Sequence, residues 1–163
     1  MRVVRARTKW AVAAVGVAVV VTFAAVALGS PATGVKTTIL VAKADFDRAV
    51  HVNSDRVKLQ TKDATDVRVA KLEFAPGSSS GWHHHPGIVV VTVASGSVTV
   101  WDENCNTETY GPGLPNGAVF VEGGDEPGQV TSTGGATNYV TNIAPSADPP
   151  VFRIEDDPPP CAR

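Results

Sequence analysis

Two histidines separated by one residue, His83 and His85, are the side chains of this sequence best placed to do chemistry together. They lie in the tract Gly-Trp-His-His-His-Pro-Gly, between a serine-rich turn and an apolar run. Successive side chains of an extended strand point to opposite faces, so His83 and His85 share one face and His84 takes the other. Two imidazoles on one face form half of a metal site, because imidazole is a common ligand of Zn²⁺, Cu²⁺, Ni²⁺ and iron.

The elements that must position this pair are predicted to be short β-strands. After the first thirty residues no segment has helical periodicity, and Gly, Pro, Asn and Asp separate short apolar or alternating runs. Such a series of short strands indicates an all-β sandwich or barrel. The dipeptide Ser95-Gly96 is predicted to join two of the strands in a hairpin. The ten predicted strands are Thr37–Val41, Val57–Gln60, Val67–Phe74, Gly81–His85, Ile88–Ala94, Ser97–Trp101, Thr107–Tyr110, Ala118–Val121, Gly128–Thr133 and Thr137–Ile143.

Residues 1–32 are predicted to be a targeting segment outside the folded domain. Four basic residues precede an uncharged run of mostly Ala and Val, Trp10–Leu28, and small residues follow at the spacing of a cleavage site. The pattern predicts a secretory signal. The alternative is an uncleaved anchor helix, since the run is just long enough to span a bilayer. We therefore expect a secreted or cell-envelope protein that contacts the membrane only through this segment.

The remainder of the chain has the length of one domain and an acidic balance. Without the four basic residues of the targeting segment, the net charge changes from −2 to −6. A protein of this charge is not expected to bind nucleic acid or an anionic membrane surface. The sequence also has no glycine-rich phosphate loop, no G-x-S-x-G motif and no CxxC pair.

The two cysteines, Cys105 and Cys161, are predicted to form a disulfide. An even number of cysteines in an exported chain indicates paired rather than free thiols. The bond would tie the Pro-rich tail, residues 147–163, to a loop in the middle of the chain. The alternative is a pair of thiolate metal ligands, which their wide separation in sequence and their position in predicted loops disfavour.

The spacing of four residues resembles the first motif of the cupin superfamily. Gly77, His83, His85 and Gly96 match the pattern G-x5-H-x-H-x3-E-x6-G at every position except the glutamate. The resemblance is to small exported single-domain cupins of the type-2 kind. It implies a double-stranded β-helix, or jelly-roll barrel, over residues 33–146, with the signal or anchor helix before it and the tail after it. Because cupins often dimerise, the resemblance also implies that a homodimer is one possible oligomeric state.

Two of the metal ligands that the resemblance implies are missing. The glutamate position is occupied by Val89, and alignment of the second cupin motif places Gln129 where the family has a third histidine. The implied site is therefore degenerate: His83, His85 and the Gln129 amide oxygen, with His51 as a further candidate. Such a neutral set would hold one divalent ion weakly. Among Zn²⁺, Ni²⁺, Cu²⁺ and Fe²⁺, it would favour the first three.

Two functions remain open on this basis. The first is an exported cupin that binds a small molecule in its barrel without assured catalysis, in a ligand pocket lined by His83, His85, Val89 and Gln129. The second is a metal-dependent cupin enzyme, oxygenase-like or isomerase-like, with the same two histidines as ligands. Glu122 and Asp125 would add a carboxylate only if their loop folded inward, and we expect that loop to be solvated.

Overall fold

A computed structural model describes residues 30–162, which form an all-β, near-closed antiparallel barrel. The targeting segment predicted for residues 1–32 lies almost entirely outside the described residues. Within residues 30–162, no helix is long and apolar enough to cross a membrane. The described elements are β1 (Thr33–Phe46), β2 (His51–Asn53), β3 (Lys58–Gln60), β4 (Thr65–Ser79), β5 (His83–His84), β6 (Ile88–Gly96), β7 (Val98–Trp101), β8 (Thr107–Tyr110), β9 (Val119–Gly123), β10 (Gln129–Ser132), β11 (Ala136–Pro145), β12 (Ile154–Glu155) and a 3₁₀ turn at Pro160–Ala162.

The long strand β4 organises the main sheet. The strand order is β8-β7-β10-β4-β11-β6-β9, and β1 also pairs with β4. Most of β4 lies between β1 and β11, whereas its last residues, Ser78 and Ser79, pair with β10. The strand β4 therefore joins two parts of the sheet. One part contains β1, β11, β6 and β9, and the other contains β10, β7 and β8. The all-β fold class implied by the cupin resemblance is confirmed.

All ten predicted strands overlap observed strands, but the predicted hairpin at Ser95-Gly96 is wrong. Strand β6 pairs with β9 and β11, whereas β7 pairs with β8 and β10. Gly96 instead turns the chain from β6, which lies between β11 and β9, to β7, which lies between β10 and β8. Its φ is +72°. A Cβ atom at this position would lie 2.1 Å from the carbonyl oxygen of Gly135, so the position requires glycine.

Alternate residues of β6 and β11 are buried, as the period-two alternation of a half-buried strand requires. In β6, Val89, Val91 and Val93 are buried, while Ile88 and Thr92 are exposed. These valines pack with residues from other strands into one apolar cluster. The other buried members of the cluster are Phe74, Val98, Phe120, Val130, Ala136 and Val140.

The C-terminal segment packs against the strand that carries the histidines. Strand β12 pairs with β5, and Phe152 just before it is buried. The guanidinium of Arg153 donates a hydrogen bond of 2.7 Å from Nη2 to the carbonyl oxygen of Ser80. The predicted disulfide between Cys105 and Cys161 is confirmed, and it ties the end of this segment to the turn after β7.

A buried carboxylate, Asp66, joins the start of this segment to β4 and β1. It accepts hydrogen bonds from the Ser146 hydroxyl at 3.0 Å and the Ala147 N–H at 3.1 Å, and lies 3.2 Å from Lys43 Nζ. Burial acts to raise the pKa of Asp66, but these hydrogen bonds and the Lys43 charge outweigh it, so the pKa is lowered. Asp66 therefore stabilises the fold as a carboxylate.

Replacing Asp66 with Asn should lower the melting temperature at neutral pH. The melting temperature of the variant should also fall less than that of the wild type when the pH is lowered. The pKa of Asp66 is lower in the folded state than in the unfolded state, where it is about 3.9. The carboxylate therefore stabilises the fold above about pH 3.9, and this stabilisation is lost as the pH falls through the folded-state pKa. Melting curves from neutral pH down to about pH 2 test this. Asp45→Asn, an exposed carboxylate opposite Asp66 on β1, is the control. Superimposable profiles for the wild type and Asp66→Asn would contradict the assignment.

Removing the disulfide should destabilise the protein. The bond spans 56 residues, and loss of a loop closure of this length costs about 4 kcal/mol in the chain-entropy model. We expect the Cys105→Ser/Cys161→Ser double variant to show a lower free energy of unfolding in urea, and the reduced wild type should match it. An unchanged unfolding midpoint would mean that the bond does not constrain the unfolded chain.

Candidate metal centre

A cavity of about 230 Å³ lies inside the barrel, next to the two histidines. Valine and phenylalanine side chains form much of its wall, so that the cavity is partly apolar. A smaller set of polar and charged side chains faces the same space, which is the usual composition of a small-molecule site. The polar wall consists of His83, His85, Glu122, Arg68, Arg153, Asn138, Asn142, Ser80 and Thr37, and the apolar wall includes Val89, Val91, Phe120, Val130 and Val140.

Strand β5 and the residues around it place His83 and His85 on the inner face of the barrel. Their ring centroids lie 4.8 Å apart and the rings are nearly perpendicular, at 85°. Gly81 begins this segment with φ at +72°, and a Cβ there would lie 1.8 Å from the Ser30 carbonyl oxygen. His84 faces away, as predicted, and its Nδ1 lies 2.7 Å from the Asp156 carboxylate.

Both inner histidines are held in the tautomer that leaves Nε2 free. His83 Nδ1 donates to the Gly81 carbonyl oxygen at 2.8 Å, and His85 Nδ1 donates to the Phe152 carbonyl oxygen at 2.6 Å. Because a carbonyl oxygen only accepts, the ring hydrogen stands on Nδ1 and the lone pair stands on Nε2. Metal-bound histidines are oriented by the same kind of bond from the other ring nitrogen.

Both imidazoles are neutral at pH 7. Burial lowers the pKa of His83 to about 3, and the positive charge of Arg153 acts in the same direction. Burial also lowers the pKa of His85, against the effect of its hydrogen bond to Phe152. A metal ligand must be unprotonated, so this environment prepares both Nε2 atoms for ligation.

The third member of the group is Glu122, on β9. It lies directly opposite Val89 in the antiparallel β6–β9 pair, and directly opposed residues share a face of the sheet. Its Oε2 lies 3.9 Å from His85 Nε2, and one ligand atom from each of His83, His85 and Glu122 lies within 4.8 Å of the others. The carboxylate that the cupin motif carries at position 89 is therefore provided here from the neighbouring strand.

The expectation that Glu122 lies in a solvated loop is wrong. Strand β9 continues to Gly123, two residues beyond the predicted end at Val121. Glu122 therefore has the same strand parity as buried Phe120 and points inward. Extending the alternation by one residue past Val121 would have found it. Asp125 lies beyond the strand and is exposed.

The structure does not bring Gln129 or His51 into this group. Gln129 Nε2 donates to the Ser79 hydroxyl at 2.7 Å, while the next residue, Val130, is buried and lines the cavity. A shift of one residue reverses the face of a strand, so the inward position of β10 belongs to Val130. His51 lies exposed on β2, which pairs with β3 apart from the main sheet.

The donor chemistry of the three residues fits a divalent ion. Two neutral imidazoles and one carboxylate form the ligand set known from non-haem metal sites with open positions. Burial raises the pKa of the Glu122 carboxyl to about 7, and within residues 30–162 no group donates a hydrogen bond to it. A cation would therefore stabilise its charged form. The 4.8 Å spread exceeds the roughly 3.3 Å between donors around a tetrahedral ion, so these side chains must move closer to bind one.

Several solved structures are similar to this chain. One is a cupin superfamily protein from Desulfitobacterium hafniense, 13% identical, covering 72% of this chain and 84% of that one, with a TM-score of 0.47. Another is a conserved protein of unknown function from Streptococcus pyogenes, 19% identical, covering 62% and 78%, with a TM-score of 0.44. No family model matches the chain, and no curated protein does either.

A salicylate 1,2-dioxygenase from Pseudaminobacter salicylatoxidans is also similar, at 19% identity and a TM-score of 0.40. The alignment covers 46% of this chain, which spans only 20% of the length of that enzyme. All three TM-scores lie below 0.5.

Replacing Glu122 with Gln should weaken metal binding while the fold is kept. The variant removes the negative charge, and we expect the affinity for Zn²⁺ or Mn²⁺ to fall by at least about 10-fold, since even outer-shell substitutions cost 10–100-fold. Titration calorimetry measures this. Asp125→Asn, an exposed carboxylate of the following loop, is the matched control and should bind as the wild type does.

A swap of the two opposed positions tests the strand geometry directly. Because Val89 and Glu122 face each other across β6 and β9, Val89→Glu should restore much of the affinity lost in Glu122→Val. Thermal melting of each variant shows whether it is folded. Wild-type affinity in Glu122→Gln, or no rescue in a folded double variant, would contradict the assignment of Glu122.

Proposed function

We propose that this protein is a metal-dependent barrel enzyme that holds a divalent ion on His83, His85 and Glu122 and acts on a small molecule. One observation carries the proposal: three ligand atoms of suitable chemistry lie within 4.8 Å of one another at the wall of an internal cavity. Three protein ligands leave coordination positions open, which distinguishes a catalytic from a closed structural site.

The chain itself would perform two tasks in such an enzyme. The Gly81 and Phe152 carbonyls hold the two imidazoles with Nε2 available. The apolar wall around Val91 and Phe120 keeps water away, which strengthens electrostatic interactions in the cavity. A bound divalent ion would supply Lewis-acid polarisation of a ligand oxygen. Oxygenase and isomerase chemistry are both compatible with this arrangement.

The carboxylate changes the expected choice of metal. A set of neutral ligands favours Zn²⁺, Ni²⁺ or Cu²⁺, whereas an added carboxylate oxygen also suits Fe²⁺ and Mn²⁺. Glu122 also contributes one negative charge, so that the ion is partly neutralised when buried. We therefore propose a site that is less degenerate than the sequence indicates.

The second candidate function is a barrel that binds a small molecule without metal. The spread of the ligand atoms, up to 4.8 Å, favours this alternative, because binding an ion requires them to approach one another. His83 and His85 would then offer Nε2 as hydrogen-bond acceptors in the cavity, and a protonated Glu122 would be a donor.

We propose that the protein acts outside the cytoplasm, either secreted or in the cell envelope. The basic and apolar composition of residues 1–32 supports export, and so does the disulfide, since such bonds persist in oxidising compartments. Contact with a membrane would be limited to residues 1–32.

Metal stoichiometry of the purified protein, prepared without a histidine tag, tests the proposed function. We expect one ion per chain after loading with Fe²⁺, Mn²⁺ or Zn²⁺ and removal of excess, measured by elemental mass spectrometry. His83→Ala and His85→Ala should each lose the ion, because each removes a ligand whose partners cannot replace it. His51→Ala removes an exposed histidine and is the control. Failure to retain any of these ions, or retention by both inner-histidine variants, would favour the metal-free alternative.

A further inference from the structure

Arg68, in the wall of the cavity, is a partly buried cation without an anionic partner. Its guanidinium carbon lies 4.6 Å from the centre of the Phe152 ring, and its Nη2 donates to Asn142 Oδ1 at 3.4 Å. Its Nε is buried and has no hydrogen-bond partner among the described residues. Within residues 30–162, no carboxylate lies within ion-pair distance of Arg68. A buried charge of this kind is costly unless something else in the site compensates it.

The amide of Asn142 adds a second unused donor beside Arg68. Asn142 lies on β11 with only 2% of its surface exposed, and it lines the same cavity. Its Oδ1 accepts from Arg68, which leaves the Nδ2 group, and this group is buried without a partner. Buried polar groups in native proteins are nearly always hydrogen-bonded, so two adjacent unused donors call for an acceptor from outside the chain, either a water molecule or a ligand.

The other arginine in the wall of the cavity, Arg153, differs from Arg68 in having a carboxylate partner. Arg153 Nε and Nη2 bind the two carboxylate oxygens of Glu155 at 2.6 and 2.8 Å, so that its charge is paired within the protein. Arg68 carries the unpaired positive charge of the wall. The metal ligands lie on the same cavity, but none of them is a partner of Arg68.

We propose that the cavity binds a small organic acid whose carboxylate is held by Arg68 and the Asn142 amide. A carboxylate is planar, carries two acceptor oxygens and matches the donor geometry of a guanidinium. The valine and phenylalanine walls suit an apolar body attached to that carboxylate. The proposal rests on the proposed function in one respect, since it names the class of small molecule that the cavity binds. Binding of the carboxylate by Arg68 and Asn142 does not itself require a metal ion.

The test uses butyrate and its uncharged analogue butyramide as probes, with the protein stripped of metal by a chelator. The two probes have the same shape and differ in charge, so a difference in affinity reports the cationic subsite. We expect butyrate to bind at least about 10-fold more tightly than butyramide, because hydrogen bonds to charged groups are the strong ones. Chemical shifts in a titration followed by nuclear magnetic resonance measure both affinities.

Substitutions then assign the subsite to Arg68. Arg68→Met keeps an unbranched, apolar stem and removes the guanidinium with its charge, so it should abolish the preference for butyrate. Lys71→Met is the matched control: Lys71 lies on the same strand with the opposite parity and pairs with Glu73. It should leave the preference unchanged.

Asn142→Asp provides an independent test if Arg68→Met fails to fold. The new carboxylate would pair with Arg68 and occupy the role of the ligand, so the variant should melt no lower than the wild type and should not bind butyrate. Equal affinities for the two probes, or an unchanged preference in a folded Arg68→Met, would overturn the proposal. So would butyrate binding at wild-type affinity in Asn142→Asp.

The same measurements with metal restored separate this proposal from the proposed function. Butyrate binding that requires the ion and is insensitive to Arg68→Met would overturn the Arg68 subsite and leave the metal centre standing. A preference for butyrate without any metal binding would support the Arg68 subsite and exclude the metal centre.

Discussion

The pairing register between β6 and β9 is the constraint on which the site depends. It places Val91 opposite Phe120 and Val89 opposite Glu122. Because Val91 and Phe120 both belong to the core, their pairing fixes the position of the Glu122 carboxylate. A slip of one residue would turn Glu122 outward and bring Val121 inward. Such a slip would also remove Phe120 from the core, at a cost of about 1.5–3 kcal/mol for an exposed large apolar side chain. Packing of the barrel and the approach of Glu122 to His83 and His85 are therefore one requirement.

The C-terminal segment is the second element that the site needs. The Phe152 carbonyl orients His85, the Phe152 ring lies against Arg68, and Arg153 adds positive charge beside His83. Pairing of β12 with β5 and the disulfide at Cys161 hold this segment in place. Arg153 of this segment lines the cavity, and Phe152, which accepts the hydrogen bond from His85, lies 67 residues after His85 in sequence. The disulfide therefore lies in the same segment whose Phe152 carbonyl orients His85.

Local patterns in the sequence predict most of the fold but only part of the site. The period-two alternation locates the strands, and it places His83 and His85 on one face because that inference needs only neighbouring residues. The same rule gives Arg68 the parity of Ala70, so its inward position was available from the sequence. Glu122 was missed because one strand end was placed two residues early. Gln129 was wrongly assigned to the site because the motif alignment was one residue out of phase with the strand, whose inward residue is Val130. The contacts of Phe152 depend on long-range packing, for which no local pattern exists.

The central claim is that a carboxylate from β9 replaces the one that the cupin motif carries on β6. Anomalous diffraction from crystals of the protein loaded with Mn²⁺ or Zn²⁺ tests it most directly, because it locates the ion and its ligands together. We expect one peak in the cavity, about 2.0–2.3 Å from His83 Nε2, His85 Nε2 and a Glu122 oxygen. A peak bound through other residues, an ion without Glu122 in its shell, or an empty cavity at saturating metal would contradict it.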